Sequence, residues 1–67
     1  MLISGRNKLK GTVKSVEVDG LMAKVAVDVA GQQLTAVITR DAVEELAIRQ
    51  GDQVDALIKA TSVMIMK

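Results

Sequence analysis

Apolar and polar residues alternate with a period of two along most of the chain, which is the pattern of strands that bury one face. Over residues 7–18 the alternation moves by one position after Ser15, so that Val13 and Val16 fall on the same side. Such a shift predicts a β-bulge, which bends a strand enough to serve a barrel. Asp19-Gly20 then predicts a tight hairpin turn into a second strand over residues 21–29.

The period changes in the second half of the chain. A turn over residues 30–33 leads into a third strand over residues 34–39, and Val37 is apolar on the face that a one-sided sheet would leave polar. Residues 40–48 have helical spacing, and Asp41 with Glu44 three positions later predicts a capping box. Gly51 predicts the C-cap of this helix. Two further strands are predicted over residues 53–59 and 63–66.

The predicted order of three strands, a short helix and two strands is that of the five-stranded OB-like Greek-key barrel. We therefore expect an all-β fold, a single domain over residues 1–67, with the helix between strands 3 and 4. A small open sheet or an SH3-like barrel is the alternative architecture, and the position of the helix favours the OB-like barrel. The last predicted strand is apolar on both faces, which suits a strand that a partner covers.

Composition adds a prediction about assembly. The chain has 67 residues and neither Cys nor His, which removes disulfides and most structural metal sites as sources of stability. Hydrophobic residues make up 49% of it, yet it has no Phe, Tyr or Trp. This aliphatic surface exceeds what one small core needs, so we expect an obligate oligomer.

Several functional classes are disfavoured by what the sequence lacks. Without His and Cys, the usual general base and the strongest nucleophile are missing, and the carboxylates are scattered, so we expect neither an enzyme nor a cation site. A net charge of +1 and the lack of aromatic platforms argue against nucleic-acid binding. No apolar run reaches the roughly 18 residues that span a membrane, and no signal-peptide pattern is present, so we expect a cytoplasmic protein.

Hydrogen-bond donors are concentrated in two short segments, one before the first strand and one between the last two predicted strands. Their members are Ser4, Arg6, Asn7 and Lys8 in the first segment and Lys59, Thr61 and Ser62 in the second. Groups that donate many hydrogen bonds and accept few suit an oxyanion. A solvated basic segment and an ordinary polar turn are the alternative interpretation of these residues.

Three separated segments resemble the Mop domain of the molybdate-binding proteins called molbindins. The opening I-S-A-R-N-Q-L-K-G of that family is matched by Ile3-Ser4-Gly5-Arg6-Asn7-Lys8-Leu9-Lys10-Gly11. Its strand-to-helix segment is similar to Val37-Ile38-Thr39 followed by Asp41-Ala42-Val43-Glu44-Glu45-Leu46. Its ending A-x-I-K-x-[ST]-x-V-M-I is similar to Ala56-Leu57-Ile58-Lys59-Ala60-Thr61-Ser62-Val63-Met64-Ile65. The resemblance covers essentially the whole chain.

This resemblance implies a homohexamer, a trimer of dimers, that binds molybdate or tungstate between subunits without an organic cofactor and serves intracellular molybdenum storage or homeostasis. The ligands it implies are Ser4 and Arg6 of one subunit with Thr39, Lys59 and the Ala60 backbone of a neighbour, supported by Gly5, Asn7, Lys8 and Thr61. Gly5 and Lys8 depart from the family pattern, which has Ala and Gln there. An OB-type module that binds nucleic acid or a protein partner is the alternative function, and a fragment of a larger regulator or transporter is a further one.

Overall fold

Three long strands joined by tight turns open the fold in the computed structural model, which describes residues 6–67. The elements are β1 (Arg6–Asp19), β2 (Met22–Val29), β3 (Gln32–Thr39), α1 (Arg40–Leu46), β4 (Gln53–Lys59) and a 3₁₀ turn at Ala60–Ser62. The predicted hairpin is confirmed, with Gly20 at φ 63° in the two-residue turn between β1 and β2. The short helix lies between β3 and β4, as expected.

β1 has two neighbours in one antiparallel sheet, whose strand order is β3-β2-β1-β4. Its first half pairs with β4 and its second half with β2, and the register with β2 shifts between Val13 and Ser15. The predicted bulge is therefore confirmed. Close to it, a Cβ on Gly11 would lie 2.5 Å from Cγ1 of Val27 and 2.7 Å from the Asp28 carbonyl oxygen, so the bend brings β1 against β2 too closely for a side chain.

One face of the sheet holds a small aliphatic core. Its buried members are Val13, Ala23, Val25, Val27 and Val43. Val43 is the residue that α1 contributes, so the helix covers one end of the sheet. Among residues 6–67 there are no buried polar or charged residues, so the hydrophobic effect acts here without buried polar networks.

The ends of α1 differ from the prediction. Thr39 is the N-cap, and its hydroxyl oxygen accepts a hydrogen bond from the Ala42 N–H at 3.1 Å. The predicted capping box of Asp41 with Glu44 is therefore wrong. The helix begins at Arg40, and the Glu44 carboxylate accepts a hydrogen bond from Nε of Arg40 instead. Gly51 is not the C-cap: that position is taken by Ala47, at a left-handed φ of 51°.

The predicted fifth strand is wrong for the isolated chain. Residues 63–67 follow the 3₁₀ turn without forming a strand, and the described sheet has four strands. A strand needs a neighbour to hydrogen-bond with, and this segment pairs with neither β3 nor β4 of its own chain. Its side chains are instead exposed, with Met64, Ile65 and Met66 at 94–95%. No helix within residues 6–67 is long and apolar enough to cross a membrane.

Candidate oxyanion site

Two cationic side chains face each other at the N-terminal end of β1. Arg6 pairs directly with Lys59 in the β1–β4 ladder, and both are exposed. Half-buried and exposed residues alternate along β4, with Ile58 half-buried and Lys59 exposed, so strand alternation puts Arg6 and Lys59 on the outer face. Residues in such direct register have Cβ atoms about 4.5–5.5 Å apart. This Arg6–Lys59 pair therefore concentrates positive charge at one point of the surface.

No carboxylate within residues 6–67 lies within 4.0 Å of either member of the Arg6–Lys59 pair. Like charges placed directly opposite each other across a ladder repel. The guanidinium and the ammonium together offer several N–H donors and no acceptor. An anion beside the pair would relieve the repulsion and receive hydrogen bonds, which is the chemistry expected of an oxyanion site.

Asn7 and Lys8, the next two residues of β1, differ in what they contact. The Asn7 side chain donates a hydrogen bond to the Ile58 carbonyl oxygen at 3.4 Å, so it joins β1 to β4 beside the cations. Lys8 lies on the same outer face as Arg6, and its Nζ is 3.7 Å from Oδ2 of Asp55. Asn7 thus adds a side-chain hydrogen bond between β1 and β4, whereas Lys8 forms an ion pair with a carboxylate.

The 3₁₀ turn continues directly from Lys59. Its three residues are Ala60, Thr61 and Ser62, and all are exposed. The backbone of Ala60 and the hydroxyl of Thr61 therefore follow the Arg6–Lys59 pair within two positions along the chain. Polar groups at the end of a strand can converge on a ligand that lies at that edge.

Thr39 lies elsewhere in the chain. It pairs with Met22, which in turn pairs with Asp19, so it is next to the C-terminal end of β1, whereas Arg6 is at the N-terminal end. Its hydroxyl accepts from Ala42 but still has its own hydrogen to donate. The structure thus brings together Arg6, Asn7, Lys8, Lys59, Ala60 and Thr61 within one chain and does not bring Thr39 to them. Ser4 and Gly5 lie outside the described residues.

One concavity of the surface is mainly apolar and does not suit an oxyanion. It is an opening of about 370 Å³ between the free edges of β3 and β4, which we call the β3–β4 groove. Aliphatic side chains such as Leu34, Ile38, Val54 and Ile58 line most of it. Residues 6–67 also hold no cluster of three or more carboxylates that could bind a metal cation. The exposed cations are therefore the candidate site, and the groove is a surface for apolar groups.

Two features of the site did not follow from the sequence alone. The direct register of Arg6 with Lys59 depends on how β1 and β4 pair, and these strands are far apart in the sequence. The Lys8–Asp55 ion pair depends on the same register. Alternation in each strand could have placed Lys8 and Asp55 on outer faces, but only the pairing of the strands shows that those faces adjoin.

The chain belongs to the TOBE-domain family, whose model matches residues 3–65. Within that family it is similar to molybdenum-pterin-binding protein 1 of Clostridium pasteurianum, with 42% identity over 67 residues that cover 98% of each chain. The structure of a molybdate-binding protein from Sporomusa ovata is 48% identical, covers 100% of both chains and superposes with a TM-score of 0.95. These matches confirm the resemblance to the Mop domain and the OB-like fold, with four strands among residues 6–67 where five were expected.

A third match is part of a longer protein. The cytoplasmic molybdate-binding protein ModG, in a crystal form with molybdate bound, is 38% identical, and the match covers 90% of this chain and 43% of that one, with a TM-score of 0.83. The relatives that match over their full length are described as binding proteins, which confirms the prediction that the chain is a binding protein and not an enzyme.

Proposed function

We propose that this chain binds molybdate or tungstate as a tetrahedral dianion at the Arg6–Lys59 pair. The observation that carries the proposal is the direct register of two exposed cations that have no carboxylate partner within residues 6–67. The named ligands of the matched relatives point to the same chemistry. Thr61 and the backbone of Ala60 follow Lys59 and supply further donors, and Ser4 and Gly5 belong to the segment that precedes Arg6. No organic cofactor takes part in this site.

The site is completed between copies of the chain. A dianion taken out of water needs several fixed donors at once, because its desolvation is costly. Thr39 can donate its hydroxyl hydrogen but lies by the far end of β1 in its own chain, so a second copy has to supply it. Binding therefore requires assembly, and the expected assembly is a homohexamer built as a trimer of dimers.

The surface of the chain supports assembly with itself. The outer edges of β3 and β4 have no strand partner among residues 6–67, and both border the apolar β3–β4 groove. One more strand at that position would close the barrel. The exposed apolar residues Met64 to Met66 are strand-forming in pattern, and a neighbouring copy would bury them and remove an aggregation hazard.

Selectivity would rest on size. Molybdate and tungstate are both tetrahedral dianions and larger than sulfate, so donors held at the radius of the larger ions leave sulfate too far from some of them. The chain carries no catalytic equipment, so binding and release are what it offers the cell. Intracellular storage or homeostasis of molybdenum in the cytoplasm is the role that fits, and ModG is itself described as cytoplasmic.

Calorimetric titration tests the proposal. We expect heat of binding with molybdate and with tungstate, and much weaker binding of sulfate under the same conditions. Equal affinity for sulfate, or no heat with either larger ion, would refute it. A salt-dependent complex with single-stranded RNA or DNA in place of oxyanion binding would support the alternative of an OB-type interaction module.

A further inference from the structure

The outer face of the β1–β4 ladder carries more positive charge than the Arg6–Lys59 pair alone. Alternate residues of a strand share a face, so β1 also presents Lys8 and Lys10 there, opposite Leu57 and Asp55 of β4. Between the Arg6–Lys59 and Lys10–Asp55 positions, the ladder thus holds four cations and one carboxylate. The nearest carboxylate of β2 on that face, Asp28, pairs with Thr12, beyond the end of this stretch.

Asp55 contacts Lys8 and not the cation directly opposite. Its register partner is Lys10, but the ion pair it forms is the diagonal one, with Nζ of Lys8 3.7 Å from its Oδ2. Lys8 sits one alternation from Arg6, about 7 Å away along β1. Its flexible four-carbon stem can turn towards Asp55 or towards the Arg6–Lys59 pair, but not towards both.

We propose that Asp55 tunes the oxyanion affinity of the Arg6–Lys59 pair by holding Lys8 away from it. Lys8 is then a third cationic contact that joins the site only when its ion pair with Asp55 opens. This inference rests on the proposed function. It gives a role in ion binding to two residues that lie outside the core. The side chain of Lys8 is 63% exposed and that of Asp55 is 42% exposed.

The Lys8–Asp55 ion pair is weak enough for Lys8 to leave it and contact a bound dianion instead. Exposed ion pairs between a lysine and a carboxylate are weak, so a nearby dianion can compete for the ammonium. Asp55 also lies about 13 Å from Lys59 along β4, where a direct effect of its charge on the ion is largely screened at physiological salt. The main effect of removing its charge should therefore be exerted through Lys8.

Four proteins test the inference: the wild type, Asp55→Asn, Lys8→Gln and the double variant, each titrated with molybdate by calorimetry at low and physiological salt. We expect Asp55→Asn to tighten binding about twofold to fivefold at low salt, and less at higher salt, because an exposed ion pair contributes at most about 1 kcal/mol. In the Lys8→Gln background the same change should have almost no effect, since the released ammonium is missing. The control is Asp28→Asn, which makes the same change of charge. Its register partners Thr12 and Gln33 lie far along their strands from Arg6 and from Thr39, so this variant should bind as the wild type does.

The outcomes separate the two levels of the proposal. If the wild type binds molybdate and Asp55→Asn matches Asp28→Asn, the inference fails and the proposed function stands. If Asp55→Asn tightens binding equally with and without Lys8, the carboxylate acts through its field alone and the inference is also wrong. If the wild type does not bind molybdate, the proposed function fails and this inference fails with it. Thermal unfolding of each variant establishes that it is folded.

Discussion

At the scale of single residues, the site depends on two charges that the fold places side by side. Arg6 and Lys59 are each unremarkable in the sequence, as exposed cations at the ends of strands usually are. Their direct register makes them a pair, and the repulsion between them is a cost that a bound dianion removes. Binding energy and relief of repulsion thus come from the same contact.

Removing either cation should weaken oxyanion binding strongly. We expect Arg6→Ala and Lys59→Ala each to lower molybdate affinity by about tenfold to a hundredfold, because a hydrogen bond to a charged group contributes about 1.5–3 kcal/mol. Arg6→Ala should have the larger effect, since it removes a bidentate donor.

Calorimetry on both variants checks this, with Lys14→Ala as the control. Lys14 is an exposed cation at the bulge of β1, far along the sheet from both Arg6 and Thr39, so its loss should leave affinity unchanged. Wild-type affinity in both Arg6→Ala and Lys59→Ala would show that the ion binds elsewhere.

At the scale of elements, helix α1 gives Thr39 two roles that can be separated. Its hydroxyl caps the helix, and we propose that it also donates to an ion held by another copy. Thr39→Ala should lose the cap and about 1 kcal/mol of unfolding free energy. Thr39→Asp should keep the cap, because Asp is a good N-cap residue, but its carboxylate would repel a dianion.

Thermal unfolding and molybdate titration of both variants distinguish the roles. We expect Thr39→Asp to melt close to the wild type and to bind molybdate far more weakly. If Thr39→Asp binds as tightly as the wild type, Thr39 is a structural residue only and has no place in the site.

Local patterns predicted most of these elements, and the exceptions have physical causes. The bulge after Val13 and the limits of β4 follow from alternation, which is a property of the strand itself. The cap of α1 was misplaced because Thr39 and Asp41 are both good N-cap residues and spacing alone could not choose between them. The register of Arg6 with Lys59 joins strands from opposite ends of the chain, and no local pattern contains it.

At the scale of the whole molecule, an open sheet edge and an unpaired apolar segment belong together. The predicted strand over residues 63–66 does not form, because none of the strands β1 to β4 pairs with it. Its apolar pattern is still present, and so is the β3–β4 groove that an added strand would close. The strand prediction therefore fails for a single chain. In an assembly of copies, this segment would find a strand to pair with, and the β3–β4 groove would be covered.

A charge in this segment should therefore weaken the assembly. We expect Ile65→Lys to shift the protein to smaller species, since burying an unpaired ammonium in an apolar interface is costly. Ala30→Lys adds the same charge at an exposed apolar residue in the β2–β3 turn, at the opposite end of β3 from Thr39, and should leave the oligomer intact.

Analytical ultracentrifugation of both variants beside the wild type provides the comparison. If the wild type is monomeric, or if Ile65→Lys assembles as the wild type does, residues 63–66 do not hold copies together. If Ile65→Lys loses both assembly and molybdate binding while the control variant keeps both, molybdate binding depends on assembly.

The most direct measurement is the anomalous difference map of a crystal of the assembled protein soaked in tungstate, because the heavy ion marks every binding position at once. We expect a peak beside Arg6 and Lys59 at a contact between copies, with Thr39 of a second copy within hydrogen-bond distance. A peak remote from the Arg6–Lys59 pair, or no ordered tungstate at all, would contradict the assignment of the site.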